Sequence, residues 1–130
     1  MRLLGRIVST GGVATALVLL LAAGACGSDR SGPLVTEDPG ATVFDYDYLI
    51  PEGTADRITA GEAVEILPEE LEVRVGEVIR IVNEDDEGHF VGIFFVGAGE
   101  TVTQRFANEG EFLGTCSVHP SGQLTLLVAP

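Results

Sequence analysis

Leu71-Glu72-Val73-Arg74-Val75-Gly76-Glu77-Val78-Ile79-Arg80-Ile81-Val82-Asn83 is the stretch that decides the fold. Its first five residues alternate apolar and charged, the period-2 pattern of a strand with one buried face. Gly76-Glu77 supplies a turn, and Val78 to Val82 alternates less strictly until Asn83 breaks the run. Two strands with one face turned inward are expected. The same grammar continues outward. Phe90 to Val96 reads as an inner strand, Thr101 to Phe106 alternates, Glu111 to Thr115 leads into Cys116, and Leu124 to Val128 closes the chain. Tyr46–Ile50 and Val64–Leu67 are weaker strand candidates, and no helical stripe is present. Short strands punctuated by Gly, Pro and Asn predict an antiparallel, all-β sandwich, one domain over residues 42–130 with no internal repeat.

Arg2 and Arg6 precede an apolar stretch from Val13 to Ala23 that is too short to span a bilayer and suits an export signal over residues 1–25. Small residues then run into Cys26, in Leu21-Ala22-Ala23-Gly24-Ala25-Cys26-Gly27-Ser28, which resembles a bacterial lipobox with Cys26 as the lipidated first residue. The alternative is ordinary secretion after an Ala-x-Ala site. Both place the protein outside the cytoplasm. Residues 26–41 carry Gly, Ser, Asp, Pro and Thr with little periodicity and read as a flexible tether from a membrane anchor. Export also allows a disulfide between Cys26 and Cys116, a reading that competes with lipidation of Cys26.

All seven basic residues are arginines, set against 20 acidic residues for a net charge of −13. Such a surface repels nucleic acid and anionic headgroups and favours solubility and basic partners. The run Glu84-Asp85-Asp86-Glu87 reads as a solvated loop, although clustered carboxylates can also hold hard cations.

The chemistry concentrates in Cys116-Ser117-Val118-His119-Pro120 and in His89, the other of only two histidines. If Cys26 carries lipid, Cys116 is a lone thiol in an oxidising compartment, where metal ligation would protect it. One thiolate and two imidazoles in a trigonal arrangement are a donor set that holds copper for electron transfer.

The order of these parts, over about residues 60 to 130, resembles the cupredoxins, the small blue copper proteins of the plastocyanin and amicyanin kind. The matching stretches are Val73 to Asn83, the loop to His89, Gly99-Glu100-Thr101, and Gly110-Glu111-Phe112 rising to Cys116 and His119-Pro120. The resemblance implies a cupredoxin-like Greek-key β-sandwich with one type 1 copper ion. His89 and His119 would bind it through nitrogen and Cys116 through sulfur. Cys116 would stand at a strand end and His119 in the exposed loop that follows. Apolar neighbours such as Phe90, Ile93 and Phe94 are candidates for limiting solvent there. The chain departs from the family pattern in three ways, one of them the short span of 26 residues between His89 and Cys116, which implies a compact member. No methionine follows His119, so either Gln123 supplies an axial amide oxygen, with the Gly88 carbonyl another weak candidate, or Gly122-Gln123-Leu124 simply starts the last strand. Phe90 stands where many members place an asparagine that ties the ligand loops, so that tie is absent or supplied otherwise.

The expected function is a membrane-tethered, extracytoplasmic type 1 copper protein, acting as a monomer. It would pass single electrons between redox partners such as a cytochrome or a copper enzyme. No second metal site or catalytic base is evident, so it is not expected to be an enzyme. Copper storage or delivery, and a copper-free interaction module of the same fold, are the alternatives.

Overall fold

A computed structural model describes residues 32–130. The export segment, Cys26 and the start of the expected tether lie outside the described residues. The elements are β1 (Val35–Glu37), β2 (Tyr46–Ile50), α1 (Thr54–Thr59), β3 (Glu70–Arg74), β4 (Val78–Asn83), β5 (His89–Val91), β6 (Phe94–Val96), β7 (Thr101–Phe106), β8 (Gly110–Thr115) and β9 (Gln123–Ala129). Among the described residues no helix is long and apolar enough to cross a membrane.

The stretch that opened the sequence reading forms two strands, but they do not pair with each other. β3 lies in a three-stranded sheet of order β3-β9-β8 and β4 in a four-stranded sheet of order β1-β7-β4-β2. Each lays its alternating apolar residues on one core from opposite sides. Leu71 and Val73 come from β3, Ile79 and Ile81 from β4, Phe106 from β7, and Leu124, Leu126 and Val128 from β9. Burial of one face per sheet is what makes the two sheets a sandwich. From β2 onward the chain crosses between sheets, so among the described residues β8–β9 is the only pair of consecutive strands that are hydrogen-bonded neighbours in either main sheet. That alternation also makes β2–β4 and β3–β9 parallel, where an antiparallel arrangement was expected throughout.

The corner between β3 and β4 depends on Gly76, whose φ of 94° is open to glycine and strained for other residues. Its N–H bonds to Phe106 O at 2.8 Å, while the Glu77 carboxylate folds back to accept Arg74 N–H at 2.7 Å. A Cβ at Gly76 meets nothing within 4 Å, so only the backbone strain counts against a substitution. Gly76→Ala is expected to lower the unfolding free energy by about 1 kcal/mol in urea denaturation, with the fold unchanged.

Other parts depart from expectation for identifiable reasons. Phe90 to Val96 is two strands, because Gly92, at φ 60°, turns the chain and a Cβ there would meet the Leu124 side chain at 2.9 Å. Val64–Leu67 is a loop. Its buried side chains Val64 and Leu67 stand three residues apart and cannot share a strand face. Within the stretch expected to be tether, Val35–Glu37 pairs with β7 and Leu34 packs on the core. Three residues are too few to display a period. Helix α1 escaped notice because it has six residues and no apolar stripe, and Gly53 gives its first turn no side-chain cap. A distant carboxylate serves it instead.

Candidate metal centre

The inward parity of β4 runs through Ile79, Ile81 and Asn83 and continues into the loop as Asp85. Asn83 is buried, and its Nδ2 reaches the carbonyls of Glu87, Val96 and Gly97, while its Oδ1 accepts Asp85 N–H. This pins the loop between β4 and β5. Glu84, Asp86 and Glu87 are exposed as expected, but Asp85 is not: its side chain has 0% of its surface accessible. The Asp85 carboxylate accepts N–H groups from Gly53 at 3.1 Å, Ala55 at 2.8 Å and Asp86 at 3.0 Å, and it caps α1 from outside.

Its remaining partner is His89, whose Nε2 lies 2.7 Å from Asp85 Oδ2. Burial alone would push the Asp85 carboxyl up. The hydrogen bonds from His89 and from the backbone of Ala55, Asp86 and Gly53 outweigh it and hold the group down at about 2. An ionised carboxylate only accepts, so Nε2 carries the proton and Nδ1 of a neutral ring keeps its lone pair. Nδ1 faces Ser117 Oγ at 3.1 Å.

Asp85, His89 and Ser117 thus form a hydrogen-bonded chain of the order used to activate serine nucleophiles. Two features weigh against that use. Ser117 Oγ already accepts Phe90 N–H at 3.1 Å, and the adjacent cleft of about 350 Å³ is lined by Asp56 and Glu87, whose charge would oppose a developing oxyanion.

Cys116 follows β8 and is a fully buried free thiol. Burial pushes its pKa up, and the Val118 N–H directed at sulfur works against that. An isolated antiparallel bridge joins Val91 to Cys116, with Gly92 N–H to Thr115 O and Ser117 N–H to Phe90 O both at 2.8 Å. His89 therefore stands one diagonal step from Cys116 on the same inner face, a separation of about 7–8 Å between Cα atoms. Phe90 and Ser117 are stitched together by main-chain and hydroxyl hydrogen bonds. The loop tie that an asparagine would give is supplied by Ser117.

His119 sits half-buried in the turn between β8 and β9. Its Nδ1 accepts Ser121 N–H at 3.1 Å and lies 2.8 Å from Ser121 Oγ, while its carbonyl accepts Gly122 N–H. Among the described residues no three His, Cys, Asp or Glu side chains are grouped closely enough to hold a metal ion. The backbone brings His89 and Cys116 to one inner face, while the His119 ring is bonded to Ser121. Soft sulfur and an imidazole nitrogen with a fixed lone pair still suit copper in kind.

Gln123 opens β9 opposite Thr115, and both are exposed. Strand alternation puts it on the face away from Cys116. Gln123→Met is accordingly expected to leave any copper absorption spectrum unchanged. Of the apolar neighbours, Phe94 is buried and Ile93 half-buried, whereas Phe90 turns outward, 53% exposed, against Phe95 with ring centroids 4.9 Å apart. Phe90 does not shield the corner.

No protein-family model matches the chain, and no curated protein is similar to it. Among solved structures it is similar to a purple cupredoxin from Nitrosopumilus maritimus, at 24% identity over 65% of this chain and 100% of that one, with a TM-score of 0.42. It is also similar to amicyanin from Paracoccus versutus, at 14% identity over 75% of this chain and 100% of that one, with a TM-score of 0.48. A reduced, Cu(I) form of an amicyanin variant gives 17% identity, the same coverages and a TM-score of 0.45. These are likenesses of overall shape, and the all-β sandwich rests on the chain's own strand topology.

Proposed function

We propose that this chain is an extracytoplasmic, membrane-tethered type 1 copper protein carrying single electrons between redox partners, with His89, Cys116 and His119 holding one copper ion. One observation carries the reading. A buried imidazole, its Nε2 committed to a carboxylate, shares an inner face with a buried thiol one diagonal step away. When bound, copper supplies a one-electron couple whose two oxidation states favour sulfur and nitrogen differently.

The chain's own residues do the rest. Asp85 holds the His89 ring, the Val118 N–H is directed at the Cys116 sulfur, and strand ends keep both in place. His119 would exchange its Ser121 contact for the ion. Residues 1–25 act as the export signal and Cys26 as the lipid attachment point. The acidic surface suits a basic partner.

Purified protein given Cu(II) is expected to develop an intense visible thiolate-to-copper band and a narrow parallel hyperfine splitting in electron paramagnetic resonance. Native mass spectrometry should find one copper per chain. No stoichiometric copper would sink the proposal and leave a tethered interaction module. The engagement of His119 with Ser121 favours a second reading, storage or delivery of low-coordinate Cu(I) by Cys116 and His89. A colourless protein that binds only Cu(I) would select it.

A further inference from the structure

The chain enters the domain at one end and carries its candidate metal centre at the other. Gly32, the first described residue, stands against Asn108, and the neighbouring Pro33 carbonyl accepts the Asn108 amide N–H at 2.8 Å. Leu34 O takes the Ala107 N–H at 2.7 Å, and the Leu34 side chain lies over Gly110. The entry point is therefore the β7–β8 turn. The β3–β4 corner and the end of β9 share that end, because Gly76 N–H reaches Phe106 O and Val75 N–H reaches Ala129 O. Val75, 41% exposed, and Pro130 border a cleft there of about 280 Å³. From Gly110, β8 runs away from this end to Thr115, and Cys116 follows. Six steps of about 3.4 Å put Cys116 roughly 20 Å beyond the entry point.

Five residues lie between Cys26 and Gly32. Covalent geometry limits that link to about 20 Å. A bilayer that holds Cys26 could touch the metal-centre end only with the link drawn straight, whereas the entry end meets it at any extension. What the far end presents suits a protein and not a headgroup layer. The Phe90 and Phe95 rings, each more than half exposed, stand at the level of Ser117, whose N–H reaches Phe90 O. The clefts beside them are lined by Asp56 and Glu87 and by Glu37 and Glu100, and no arginine lines either.

We propose that the short link to the lipid anchor holds the domain with its β7–β8 turn toward the bilayer and the Phe90–Phe95 pair toward water, so that its redox partner is a basic, water-soluble protein approaching from the side away from the membrane. Resting on the lipid-anchored copper reading above, the orientation needs only the anchor, and the partner class needs the copper as well.

The exported, lipid-bearing protein is placed in phosphatidylcholine nanodiscs with a gadolinium chelate on a fraction of the headgroups. It is expected to lose the amide signals of Val75 and Asn108 and to keep those of Ser117 and Gly122. A Gly-Ser insertion of about 15 residues between Gly27 and Ser28 should abolish that contrast. Copper-loaded protein in the same nanodiscs is then mixed with a reduced, lysine-rich, water-soluble c-type cytochrome, one electron passing from haem Fe(II) to Cu(II). The rate should be the same for both tether lengths and should fall about 10-fold from low to physiological ionic strength.

Equal loss at both ends of the natural-length protein, or loss at Ser117 and Gly122 alone, would overturn the orientation and leave the anchor standing. A contrast that survives the insertion would overturn it too, by showing that the link does not hold the domain. A faster cytochrome reaction in the lengthened chain, or a rate indifferent to salt, would overturn the partner class. Protein that elutes apart from the nanodiscs would remove the anchor itself, and with it the orientation, whereas anchored protein that takes up no copper would remove the copper reading and its partner alone.

Discussion

Cys116→Ser is expected to abolish the visible copper band completely, leaving the mixture with Cu(II) colourless at concentrations where the unaltered protein is intensely coloured. The band requires charge to move from a soft sulfur to copper, and a serine hydroxyl at the same position is a hard, weakly acidic donor with no such transition. The change removes little packing. Sulfur and oxygen occupy the same branch, the site is fully buried, and the Val118 N–H directed at sulfur remains as a donor to oxygen. A destabilisation of about 1–3 kcal/mol for burying the hydroxyl is expected, small enough to keep the strands in far-ultraviolet circular dichroism. A folded Cys116→Ser protein that still shows the intense band would remove Cys116 from the site.

Asp85→Ala is expected to cost about 3–5 kcal/mol at neutral pH, because it strands His89 Nε2–H and three backbone N–H groups in one act. Acid should narrow the difference. A carboxyl held at about 2 in the folded chain, against about 3.9 unfolded, contributes stability that is fully present above the unfolded value and is lost as pH falls through the folded one. That pH-dependent part is roughly 2.5 kcal/mol. Urea denaturation of both proteins at pH 6 and pH 2 measures it, and a stability gap that did not shrink in acid would show that Asp85 is not ionised in its site.

The candidate ligands and the strands that carry them could be read along the chain. His89, Cys116 and His119 announce themselves by scarcity, and the strands that carry them follow from alternation. Asp85 did not stand out. Four acidic residues in a row look like a solvated loop, and only the parity running through Asn83 hinted that one points inward. The dual face of Phe90 to Val96 was hidden for a related reason. An unbroken apolar run masks a turn, and Gly92 alone marked it.

What the amino-acid order determined by itself was the period: where strands run, which of their faces is apolar, and which rare side chains fall at their ends, since these depend on neighbours two residues away. Tertiary structure decided which sheet each strand joined, which acidic side chain was buried, and what each histidine nitrogen touched. Those choices depend on partners about thirty positions distant, such as Gly53 and Ala55 for Asp85 or Ser117 for His89. A buried charge is tolerated only where such partners satisfy it. No local pattern encodes that condition.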